Sequence, residues 1–166
     1  MKSLRSILYS TLLVIAPALR AELPVKKVIT LSVAKKIAAA AEAEANRRHL
    51  TAVIVVVDDG GYPLLLQRLD NTQVASVEVG IGKARTAAIF RRPSKDFEDQ
   101  VKDGRIAALA LPGATPLQGG VPIILDGKVI GAIGVSGESP KDDEDVAKAG
   151  AAAAAAAIAA EGASHD

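Results

Sequence analysis

The stretch from Leu117 to Gly137 constrains the fold more than any other part of this chain. Two apolar runs rich in β-branched residues flank Asp126-Gly127. That dipeptide suits a type I′ turn, whose two central residues both need φ > 0. The spacing therefore predicts an antiparallel hairpin. Gly131 and Gly134 interrupt its second arm, Val129 to Val135, so another backbone or a ligand can approach closely there. A Pro/Gly-rich run, Pro112 to Gly120, precedes the hairpin, and Ser139-Pro140 opens a helix after it. A glycine-edged sheet between a loop and a helix start points to a small-molecule pocket without naming its ligand.

The remaining elements follow from periodicity and punctuation. Thr30 or Ser32 can cap a helix running to about Arg48, with Leu31, Ala34, Ala38, Ala41 and Ala45 as its apolar stripe. His49 follows at the helix end, where the dipole favours a cation. Ala52 to Val57 reads as a strand buried on both faces. Asp58-Asp59-Gly60-Gly61 turns the chain into a second strand, Tyr62 to Arg68, and Pro63 belongs at an edge or at the first paired position. The two turn acids are read as turn formers rather than metal ligands. A helix from Gln73 to about Phe90 carries a core stripe of Val74, Val77, Ile81, Ala84 and Ala88. A second stripe on it, Val79, Lys83, Thr86 and Phe90, mixes a cation, a hydroxyl and an aromatic ring. A short charged helix, Ser94 to about Lys102, and a turn over Arg105 to Leu111 lead to the loop. Ser139 and Asp142 form a capping-box pattern, and Asp143, Glu144 and Asp145 sit where a helix start favours acids. Gly162 stops this last helix. The order is α+β: an antiparallel sheet with helices packed on it.

Composition narrows the function. The 166 residues suffice for one domain, and aromatics are only 2%, so the stacking platforms that bind single-stranded nucleic acid are scarce. Residues 1–21 read as a secretory signal peptide: Lys2 and Arg5 precede an apolar Ile7–Ala16, broken by Pro17. Cleavage after Ala21 is preferred over the Ala16-Pro17-Ala18 site, and residues 22–166 form the single domain. The apolar run is shorter than the roughly 20 residues needed to span a bilayer, so stable membrane insertion is not expected. Losing Lys2, Arg5 and Arg20 leaves 17 basic against 19 acidic residues, a net charge near −2 that disfavours nucleic acid as a partner. The chain has no cysteine, which suits an oxidising compartment and removes thiol catalysis. The expected location is periplasmic or secreted.

No nucleophile elbow, phosphate loop, zinc-protease motif or dinucleotide fingerprint occurs. A catalytic triad would have to use His49, because the other histidine, His165, lies in the tail.

Four segments carry a resemblance: Val53-Ile-Val-Val-Val-Asp-Asp-Gly-Gly61, Gly80-Ile-Gly-Lys-Ala-Arg-Thr-Ala-Ala88, Leu117-Gln-Gly-Gly-Val-Pro122 and Ile130-Gly-Ala-Ile-Gly-Val-Ser-Gly137. In this order, over about Thr30 to Ala160, they resemble the GlcG/HbpS family of haem-binding or haem-degrading proteins. The C-terminal domain of PduO-type cobalamin adenosyltransferases is related to that family. The resemblance implies a profilin-like fold, a homo-oligomer and, as in several members, haem as cofactor, with roles in haem or iron handling or redox sensing. The family's Lys-Ala-x-Thr-Ala motif falls on Lys83, Ala84, Thr86 and Ala87. Carried over, Thr86 or His49 would approach the haem iron, and Lys83 and Arg85 would meet the propionates. Phe90 would line the cavity, and Gly119-Gly120 would admit the ring edge. Two other readings stay open: an enzyme or accessory factor binding a small carboxylate, and an oligomeric interaction module without ligand.

Overall fold

The computed structural model describes residues 25–162; the expected signal peptide and His165 lie outside them. The elements are α1 (Leu31–Arg47), β1 (Val53–Asp58), β2 (Pro63–Arg68), α2 (Ser76–Ile89), α3 (Lys95–Lys102), a 3-10 turn (Ile106–Ala110), β3 (Gly120–Leu125), β4 (Lys128–Ser136) and α4 (Pro140–Gly162). Among the described residues, four strands form one antiparallel sheet in the order β2-β1-β4-β3. Helices α1 and α4 cover one face, and α2 covers the other. This is the expected profilin-like α+β arrangement. None of the helices described is long and apolar enough to cross a membrane.

Strand β1 is the axis. Val53, Val55 and Val57 face α2, while Ile54 and Val56 face α1 and α4, as the alternation of a strand requires. The hairpin turn adopts φ of 49° at Asp126 and 73° at Gly127, the left-handed pair that the dipeptide foretold. Thr30 caps α1 by accepting from the Val33 amide at 3.1 Å. Ser139 Oγ accepts from the Asp142 amide at 3.2 Å and donates to Asp142 Oδ2 at 2.6 Å, closing the start of α4. Pro63 is the first residue of an edge strand, where its missing N–H costs nothing.

Two expected stripes need correction. In α1 the buried set is Val33, Ala34, Ile37, Ala38, Ala41 and Ala45, while Leu31 is exposed. In α2 the buried residues are Ser76, Gly80, Lys83, Ala84, Thr86, Ala87 and Ala88, so Ala84 and Ala88 of the expected stripe are buried, whereas Val74 precedes the helix and is 70% exposed. The reason is steric. A Cβ on Gly80 would lie 3.3 Å from Val55 Cγ2, and one on Gly134 of β4 would lie 2.3 Å from Gly80 O. The helix backbone rests on the strand backbone, and that spacing admits only small side chains. Valine and isoleucine on the neighbouring stripe, Val77 and Ile81, are left half-buried at its flank.

Candidate functional site

The structure brings Lys83, Gly119 and Gly120 together and closes the space between them. Lys83 leaves α2, passes Gly119 and donates to Asp143 Oδ2 at 2.6 Å and to Val135 O at 3.1 Å. Both partners are almost fully buried, with side-chain exposures of 4% and 7%. Burial pushes the Asp143 carboxyl above the usual carboxylate range, against the opposing pull of the Lys83 charge and a hydrogen bond from the Gly137 amide. A Cβ on Gly120 would lie 2.1 Å from Lys83 O, and one on Gly119 would lie 2.7 Å from Val135 O. These glycines permit backbone packing. They do not admit a ring edge.

Thr86 is completely buried and its hydroxyl is used twice: it donates to Gly82 O and accepts from the Thr115 amide, both at 2.7 Å. It pins the Pro/Gly-rich loop to α2 and has no free approach to an iron. Phe90 packs against Phe97 of α3 with ring centroids 4.9 Å apart, and Arg92 lies over the Phe97 ring. Val79 is half-buried. On the second α2 stripe, Lys83, Thr86 and Phe90 are therefore all engaged in contacts within the domain. Arg85 is exposed, with its stem against Gly61 and its guanidinium beside Gly113. His49, exposed at φ 58°, ends α1 on the far side of Thr51 from β1.

The loop before β3 is held from every side. Ser94 Oγ donates to Leu117 O at 2.6 Å and accepts from the Gly120 amide at 2.8 Å. Glu98 of α3 accepts from the Gln118 amide at 2.5 Å, and Glu144 of α4 accepts from the Gln118 side chain. The sequence motif around Lys83 and Gly119 thus marks a structural clasp. Its missed member is Asp143, whose acid cluster reads as simple helix capping until the fold places it beside a lysine.

A cavity lies elsewhere, at the end of the sheet that carries the β3–β4 turn. It measures about 760 Å³. Its walls are the segment Val25-Lys26-Lys27, Asp59 of the β1–β2 turn, Arg91 just beyond α2, and the hairpin from Ile124 to Ile130. Lys26 pairs with Asp59 at 2.6 Å and Lys27 with Asp126 at 2.7 Å, so this strap ties the two turns together. Arg91 and Lys128 have no ion pair among the described residues. Lys27 holds the Asp126 carboxyl below its usual range. His49 sits at the opposite end, beyond the Val53–Ser136 pairing, whereas the groove adjoins the Asp58–Gly131 pairing. At about 3.3 Å per residue, the length of β1 puts the two roughly 15–20 Å apart. Among the described residues, no group of three or more His, Asp or Glu side chains could hold a metal ion.

Fold and site together define a small α+β domain with a sealed clasp on one flank and an open cationic groove at one sheet end. The chain belongs to the HbpS-like family: the family described as haem degrading protein HbpS-like matches residues 29–152. It is 41% identical to Protein GlcG of Escherichia coli (strain K12) over 111 residues, 67% of this chain and 83% of that protein. The crystal structure of a Streptomyces reticuli HbpS double mutant superposes with a TM-score of 0.74 at 31% identity, covering 82% of this chain and 94% of that one. The PduOC:heme complex shares the fold, with a TM-score of 0.70 at 24% identity over 76% of this chain and 95% of that one.

Proposed function

We propose that this protein binds haem or a related tetrapyrrole outside the cytoplasm, and that the groove at the β3–β4 turn holds it. The observation that carries the reading is the groove's chemistry. Ile124, Leu125, Val129 and Ile130 give an apolar wall, and Lys26, Lys27, Arg91 and Lys128 give four cations against the acids Asp59 and Asp126. A porphyrin with two propionates is a flat apolar body with two anions at one edge, and the groove has the complementary layout. Its volume lies within the roughly 300–1,000 Å³ range of small-molecule sites. Lys128 and Arg91 would meet the propionates, and the hairpin aliphatics would cover a ring face. Bound haem would supply a redox-active iron. The HbpS-like membership and the haem complex of the structurally similar PduOC support this ligand class.

Titration with haemin tests the reading: a Soret band is expected to rise and saturate at micromolar haemin. It should weaken at least tenfold in Arg91→Glu/Lys128→Glu and persist in Thr86→Ser. No spectral change at micromolar haemin would refute it. Export is tested separately, by cell fractionation and N-terminal sequencing, with Glu22 the expected first residue. Homo-oligomer formation, which the family implies, is read from the sedimentation velocity of the haem-free and haem-loaded protein.

A further inference from the structure

We infer that the groove recognises the macrocycle through its carboxylates and flat apolar face and not through its metal. The ligand class is then a planar tetrapyrrole dicarboxylate, with or without iron. This rests on the groove being the tetrapyrrole site.

The donor set carries the argument. Haem iron is held in proteins by imidazole, thiolate, thioether or phenolate. The groove is lined by aliphatic side chains, ammonium groups, one guanidinium and two carboxylates. An ammonium group has no lone pair to give a metal. Asp59 and Asp126 are already engaged by Lys26 and Lys27. Among the described residues, the side chains that could ligate iron lie elsewhere. His49 is at the other end of β1, and Thr86 is sealed under Thr115. Tyr62, on the same turn as Asp59, is not part of the groove wall and lies against Gly60. What the groove does supply is charge carried on two defined backbone positions. Arg91 is held at φ 56° at the end of α2, and Lys128 is paired across the turn with Leu125.

The test compares haemin, zinc protoporphyrin, metal-free protoporphyrin and protoporphyrin dimethyl ester by calorimetric titration, with porphyrin fluorescence as a second readout for the iron-free ligands. The free-acid macrocycles are expected to bind within about threefold of one another, and the dimethyl ester at least tenfold more weakly. Tyr62→Phe and His49→Ala should leave the haemin spectrum and affinity unchanged. Haemin binding tenfold or more tighter than metal-free protoporphyrin, or a spectrum altered by either variant, would overturn the inference and leave the groove proposal standing. Equal binding of ester and free acid would overturn its carboxylate half. Failure of every macrocycle to bind would sink the underlying reading itself.

Discussion

Replacing Lys83 by methionine removes the cation that faces Asp143 inside the domain. Methionine keeps the length and flexibility of the stem, so packing around Gly119 changes little and the electrostatic loss dominates. Removing one member of a buried pair leaves an uncompensated charge, an effect of about 3–5 kcal/mol. For a domain of this size that corresponds to a fall in Tm of about 6–20 °C. Asp143→Asn should cost a similar amount, now leaving Lys83 unpaired, while still accepting from the Gly137 amide. The double variant should recover most of the loss, because burial already holds the Asp143 carboxyl above its ordinary value and the pair therefore does not outweigh its own desolvation.

The pH dependence follows in sign. The folded form holds the Asp143 proton more tightly than the unfolded chain. This group's contribution is therefore most favourable below the ordinary carboxylate range, and it declines as pH rises through the folded value. Without Lys83 the decline is steeper, so the Lys83→Met penalty should shrink on going from pH 7 to pH 4. Urea unfolding followed by circular dichroism at both pH values reads all four proteins. A penalty below about 1 kcal/mol for both single variants, or a double variant no better than their sum, would refute the argument.

Three further outcomes are expected. Thr86→Val keeps the volume but leaves the Thr115 amide without its acceptor, so it should cost about 1–3 kcal/mol and expose the Pro112–Leu117 loop to limited proteolysis. Gly127→Ala meets nothing within 4 Å but must hold φ 73°, so its loss in denaturant melts should be the left-handed cost alone, about 1–2 kcal/mol. Glu44, bonded to Arg47 and Arg48, has its carboxyl lowered to about 2; carbon-detected NMR should show it ionised well below pH 4, with its contribution to stability lost as pH falls from about 4.5 toward 2.

Much of the fold is legible because its signals are local. Asp126-Gly127, the Val53–Val57 run, the Thr30 cap and the Ser139 start each depend on a few adjacent residues, and each stands where the sequence places it. The inner face of α2 is only partly legible: Ala84 and Ala88 are buried as expected, but hydrophobic periodicity also favours Val74 and Ile81, while the actual seat is cut for glycine and alanine. The clasp escapes because Lys83 and Asp143 are 60 positions apart and each has an ordinary surface explanation. The groove escapes for a related reason. Its wall is assembled from four separate segments, and nothing near Arg91 announces a left-handed backbone in a non-glycine residue.

The contact between Gly80 and Gly134 has one more outcome. Layers normally separated by interlocking side chains can slide, repack or swell when a core residue changes size; here a helix and a strand touch peptide to peptide, with nothing compressible between them. The α2 flank is thus a hard stop, and the domain can adjust its thickness only on the side where Ile37, Ile54 and Ile133 meet α4. Chain-to-chain variation in core volume should accumulate on that side alone, and amide protons of β4 around Gly134 should be among the last to exchange with solvent.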